Sequence, residues 1–156
     1  MIKVDIPGRE SLELDNLVFD FNGTIAVDGI ILENIKKPLT ELSKLINIYV
    51  ITADTYGVAQ EECEKLDLKV ITIPTGCAGV HKSELVKKLG QKSTAAIGNG
   101  FNDIEMFKDA ELSVAVIEGE GTCSKLIINS DIVTRSIEEA LNLFLIPNHI
   151  KADLRW

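Results

Sequence analysis

The chain reads as an α/β fold, a doubly wound parallel sheet with helices on both faces. Three observations predict it. Apolar runs of four to six residues alternate with amphipathic stretches along most of the 156 residues. The runs are apolar almost throughout rather than at every second position, which marks strands covered on both faces. Each stretch between them is long enough for the helix that a parallel crossover requires.

Residues 2–14 open the chain as an extended hairpin, with Pro7-Gly8 as its turn. Core strands follow at about 17–21, 47–52, 69–73, 94–98, 112–116 and 131–134, with helices at about 34–46, 55–66, 79–89, 102–109, 122–129 and 136–146. Between the first core strand and the first helix, Asp28-Gly29 sits between apolar residues. That pair favours a two-residue type I′ turn, so residues 24–32 form a small hairpin flap. Ser136 with Glu139 three residues on makes a capping box for the last helix, and Pro147 stops it. No repeat or low-complexity linker interrupts the series, so residues 1–156 read as one domain with its core at about 15–146.

Composition excludes several classes. Apolar residues make up 46% of the chain, yet no stretch approaches the ~18 consecutive apolar residues of a membrane span. The first residues, Met1-Ile2-Lys3-Val4-Asp5, lack the basic and apolar regions of a signal peptide, so a cytoplasmic protein is expected. A formal net charge of −8 argues against a broad nucleic-acid or anionic-membrane surface. Cys63, Cys77 and Cys123 form no CxxC pair and read as free thiols. Cys77 and His81 have helical spacing, but two potential ligands without a third do not make a zinc site.

The chemistry gathers at strand ends. Asp20 closes the apolar run Leu17-Val18-Phe19, a costly place for a carboxylate that nothing uses. Thr52 closes Ile48-Tyr49-Val50-Ile51, Lys82 opens a helix, and Gly98-Asn99-Gly100-Phe101-Asn102-Asp103 follows the strand at 94–98. Ligands of open parallel sheets bind at the carboxyl ends of the strands, so one sheet edge collects all of these residues. A lysine at the positive end of a helix is unfavourable unless an anion faces it. A strand-end Asp alone most often caps a turn; Asp20 with the other three motifs in this order fits a nucleophile attacking phosphorus.

These motifs, over about residues 17–134, resemble the haloacid dehalogenase superfamily, and most closely the phosphorylation domain of P-type ATPases, to which Thr52-Ala53-Asp54 is also similar. The resemblance implies the Rossmann-like core of that superfamily and phosphoryl transfer through an aspartyl-phosphate. It implies Asp20, Asn22, Thr52 and Lys82 as catalytic residues, and Gly23, Thr24, Ala53 and Asn102 as substrate-binding ones. It further implies Mg²⁺ held by Asp20, Asn22, Asn99 and Asp103, with Asn22 acting through its backbone carbonyl. The segments in which the superfamily inserts cap domains hold only 27 residues (25–51) and 29 residues (53–81), which ordinary elements use up, so no cap domain is expected. Two positions depart from the pattern. Asn22 replaces the aspartate that usually serves as general acid and base, and Asn99 replaces an aspartate near the metal. The expected function is therefore a Mg²⁺-dependent phosphohydrolase of low or specialised turnover. The alternatives are a regulatory phosphate-binding homologue and a soluble phosphorylation domain working with a partner. A phosphorylated small molecule or a phosphoprotein is the expected partner, with a homo-oligomer able to cover the open site.

Overall fold

A computed structural model of the protein describes residues 1–53 and 57–156. The elements are, in chain order, β1 (Ile2–Val4), β2 (Leu12–Leu14), β3 (Asn16–Asp20), β4 (Ala26–Val27), β5 (Ile30–Ile31), α1 (Glu33–Ser43), β6 (Asn47–Thr52), α2 (Val58–Glu64) and β7 (Lys69–Thr72). They continue with α3 (Ala78–Leu89), β8 (Thr94–Gly98), α4 (Ile104–Asp109), β9 (Leu112–Val116), α5 (Ser124–Ile128), β10 (Ile132–Thr134), α6 (Ile137–Leu145) and α7 (Asn148–Leu154). Single 3-10 turns at Gln91–Ser93 and Phe101–Asp103 precede β8 and α4.

Six strands form one parallel sheet in the order β10-β9-β8-β3-β6-β7. The chain runs outward from β3 through β6 and β7, then returns to the other side of β3 as β8. The end of β3 is therefore the switch point where neighbouring connections diverge and leave a crevice. Strand alternation divides the core in two. Leu17 and Phe19 of β3 pack with α1 and α6, whereas Val18 packs with α3 and α4. Asp20 shares the parity of Val18, so the strand delivers its carboxylate to the α3 side.

Both predicted hairpins form. β1 and β2 pair antiparallel, and a turn at Pro7-Gly8 closes with Arg9 N–H donating to the Ile6 carbonyl at 3.1 Å. β4 and β5 pair through Asp28-Gly29, both at positive φ, as a type I′ turn requires. Ser136 accepts the Glu139 N–H at the start of α6. The predicted helix at 55–66 is observed as α2 over Val58–Glu64; its predicted start, like the resemblance at Asp54, falls on residues outside those described. Pro147 ends α6 but also starts α7, because a proline tolerated at a helix start needs no amide partner. Among the described residues no helix is long and apolar enough to cross a membrane.

Candidate active site

An open cleft of about 330 Å³ lies at the carboxyl end of β3, lined by Asp20, Asn22, Thr52, Ala53, Lys82, Asn99, Gly100 and Asn102. At its floor the Lys82 ammonium donates to Asp20 Oδ1 at 2.7 Å, to Asp103 Oδ1 at 2.6 Å and to Asn102 Oδ1 at 3.3 Å. Its side chain is 1% exposed, so those three acceptors are what permit a buried ammonium. The approach of α3 to the 98–103 loop depends on Gly79, where a Cβ would stand 3.2 Å from the Asn102 carbonyl.

The two carboxylates have different surroundings. Asp103 is 0% exposed; its Oδ1 accepts from Lys82, and its Oδ2 accepts the backbone amides of Asn99 at 3.0 Å and Gly100 at 2.8 Å. Asp20 keeps 14% of its side chain open to the cleft. Burial, followed by the neighbouring Asp103 charge, pushes the Asp20 carboxyl up to about 7, against the pull of Lys82 and the Phe21 N–H. Burial works to lower the Lys82 pKa, but the two carboxylates outweigh it and hold the ammonium above its ordinary value. With both acids ionised the cluster carries one net negative charge, the sum of two carboxylates and one ammonium.

The sequence-predicted residues separate into two groups. Asp20, Asn22, Thr52, Ala53, Lys82, Asn99 and Asn102 meet around the cleft, joined by Gly100, whose conformationally permissive loop was the only sequence signal for it. Gly23, Thr24 and Asp103 do not line it. Gly23 is buried in the flap root, its N–H donating to the Ala26 carbonyl, and Thr24 is fully buried with its hydroxyl on Asn99 Oδ1 at 3.2 Å. Thr24 has no surface on the cleft, and Asp103 lies beneath its floor with both oxygens accepting hydrogen bonds from protein donors.

Among the described residues no group of three or more His, Cys, Asp and Glu side chains is placed to hold a metal. Cys77 is exposed at the start of α3, and His81 Nδ1 lies 3.3 Å from Glu84. What the cleft offers a cation is oxygen, from the Asp20 carboxylate and the neighbouring Asn22, which suits a hard divalent ion completed by phosphate and water. The raised Asp20 pKa is a second mark of fit, since it reports buried negative charge that a cation would relieve.

Residues 77–140 match the family profile described as haloacid dehalogenase-like hydrolase. An uncharacterised protein of Methanocaldococcus jannaschii is 47% identical over 72 residues, 46% of this chain and 77% of that one. A probable copper-exporting P-type ATPase of Archaeoglobus fulgidus is 33% identical over 99 residues, which are 62% of this chain but 12% of the pump. The crystal structure of the 3-deoxy-D-manno-octulosonate 8-phosphate phosphatase of Moraxella catarrhalis, a complex with magnesium, phosphate and the sugar acid, superposes with a TM-score of 0.72 at 17% identity, over 89% of this chain and 90% of that one.

Proposed function

The chain belongs to the haloacid dehalogenase-like hydrolases, and from that premise we propose a Mg²⁺-dependent phosphohydrolase of low or specialised turnover, acting through an aspartyl-phosphate on Asp20. One observation carries the reading: the largely buried carboxylate that opens onto the cleft at the switch point is held by a buried lysine, which a second, sealed carboxylate holds in turn. A scaffold without chemistry has no use for so costly an arrangement.

In this reading Asp20 attacks phosphorus. Its oxygen forms the new P–O bond as the bond to the leaving oxygen breaks, and water then cleaves the acyl-phosphate, returning Asp20 and releasing inorganic phosphate. Lys82 neutralises Asp20 and the phosphoryl oxygens, while Thr52 and the Ala53 N–H orient the phosphoryl group. Asp20 and the Asn22 carbonyl would hold Mg²⁺, whose contribution when bound is positive charge against the phosphoryl oxygens. Asp103 accepts from Lys82 and from the loop amides, and so fixes the ammonium that faces Asp20. Asn22 orients the leaving oxygen or water but carries no proton, because an amide does not titrate near neutrality. Loss of proton transfer costs typically about 10²–10⁴-fold, so good leaving groups react and the phosphoenzyme is slow to clear.

The test is a panel of phosphate esters and acetyl phosphate with Mg²⁺, on wild type and Asp20→Asn, with intact mass spectrometry. The expected outcome is an adduct of one phosphoryl group on wild type, absent from Asp20→Asn, with slow turnover that the variant loses. Turnover that survives Asp20→Asn, or no adduct under single-turnover conditions, rejects the mechanism.

A further inference from the structure

Asn99 has a task that an aspartate at the same place could not perform. Its Nδ2 donates to the Gly121 carbonyl at 3.0 Å, and its Oδ1 accepts from the buried Thr24 hydroxyl at 3.2 Å. A carbonyl only accepts, so the edge of residue 99 that faces Gly121 has to donate; this fixes the amide's orientation and requires an amide. The Asn99 backbone carbonyl adds a bond from Cys123 N–H at 2.8 Å. Gly23, with φ +78°, admits the side chain, since a Cβ there would lie 2.1 Å from Asn99 Nδ2.

The two segments joined this way are the root of the β4–β5 flap and the loop between β9 and α5. They meet again at the flap tip, where Asp28 N–H donates to Glu120 Oε1 at 3.0 Å. Together they wall a second cavity of about 370 Å³, lined by Phe21, Asn22, Asp28, Gly29, Val58 and Glu120. Asn22 lines both cavities, so the second opens beside the first; if Asn22 orients the leaving oxygen, this is the space that a leaving group would take. The structure assigns Asn99 as a positioning residue, a clasp that joins the flap to the 117–123 loop and so fixes the wall of the leaving-group cavity. The leaving-group part rests on the phosphohydrolase reading above; the clasp itself does not.

The experiment separates the two. Hydrogen exchange on the metal-free protein is read for residues 24–31 and 117–123 in wild type, Asn99→Asp, Thr24→Val and Thr24→Ser. Asn99→Asp sets two acceptors against each other, and Thr24→Val removes the hydroxyl while keeping its shape. Both variants should exchange about tenfold faster in both segments, the range of one lost hydrogen bond, while Thr24→Ser matches wild type and residues 94–98 stay protected. Unchanged exchange, or loosening of one segment alone, overturns the clasp. So does Asn99→Asp binding Mg²⁺ more tightly in calorimetry with wild-type exchange, because residue 99 would then face the cation. If Asn99→Asp does not fold, Thr24→Val and Thr24→Ser decide alone. The positioning role is read with two donors in the folded variants. In Thr24→Val, whose residue lies outside the cleft, KM for 4-nitrophenyl phosphate should rise severalfold with kcat little changed, while phosphoenzyme formation from acetyl phosphate, whose leaving group is small, stays near wild type. Equal losses for both donors leave Asn99 a structural role only and overturn the positioning role. Absence of activity in wild type rejects the phosphohydrolase reading and leaves the exchange result standing.

Discussion

Lys82 is one positive charge between two carboxylates, and each member of the trio makes the others tolerable. Removing one partner of a buried ion pair costs roughly 3–5 kcal/mol, because the remaining charge loses its compensation. Lys82→Met should destabilise by about that much at pH 8, where ionising Asp20 beside Asp103 is no longer compensated by the ammonium. At pH 5 protonation relieves part of the repulsion, so the difference between variant and wild type in urea titrations should shrink; an equal difference at both values means that Lys82 balances something else. Asp20 sets a second pH dependence. Its folded pKa of about 7 lies above that of an ordinary carboxylate, so the folded state holds the extra proton. The stability this contributes is complete below about pH 4 and is lost as pH rises through about 7. The nucleophile needs the ionised form, so phosphoenzyme formation at limiting Mg²⁺ should rise with pH to a plateau above about 7. Saturating Mg²⁺ should move that midpoint downward; a midpoint indifferent to Mg²⁺ would place the cation away from Asp20.

At the scale of elements, the loop from β8 to α4 is built around Asp103, whose carboxylate accepts two amides of its own loop and the ammonium of α3. Gly98 leaves it room: a Cβ there would stand 2.4 Å from Asp103 Oδ2 and 3.0 Å from Asp103 Cβ. Gly98→Ala should cost about 1–3 kcal/mol in thermal denaturation, the usual range for overpacking, and should lower phosphoenzyme yield by displacing Asp103 from Lys82. Gly76→Ala, with nothing within 4 Å of its added carbon, is the neutral control. Wild-type behaviour of Gly98→Ala would show that the loop yields without disturbing the site. These elements were unequally legible in the sequence. β6, β8 and β9 fall at the predicted residues because buried parallel strands are apolar almost throughout. Asp20 and Lys82 could be placed at one sheet edge from strand ends and helix starts. The missed α7 follows a proline whose stop and start meanings look alike in a sequence. The commitment of Asp103 to Lys82 and the attachment of Asn99 to Gly121 depend on contacts between segments 21 and 22 residues apart, one of them an irregular loop with no periodicity to read.

For the whole molecule, charge decides the order in which ligands are held. The chain carries −8 overall, a field that favours a cation and opposes a phosphate dianion. The floor of the cleft carries one net negative charge from Asp20, Asp103 and Lys82, because Asn22 and Asn99 are neutral. A divalent cation meets little fixed charge there, and a dianion alone meets repulsion, but the two together neutralise each other. At about 5 Å and an effective dielectric near 20, a divalent cation and a phosphate dianion attract by roughly 13 kcal/mol before desolvation. Most of that is offset by stripping water from both, which leaves a net coupling of about 1–2 kcal/mol, or roughly tenfold in affinity. Mg²⁺ should therefore bind the free protein weakly and about tenfold more tightly with phosphate present. Linkage requires phosphate affinity to rise by the same factor with Mg²⁺. Salt should leave phosphate binding by the metal-loaded protein unchanged or slightly tighter, since screening relieves the distant repulsive field more than it weakens the contact attraction in the cleft. Calorimetric titration in both orders of addition, at two ionic strengths, checks all three. Two equal coupling factors near ten support the charge argument; Mg²⁺ binding that ignores phosphate shows that the cation is held by groups other than this cleft.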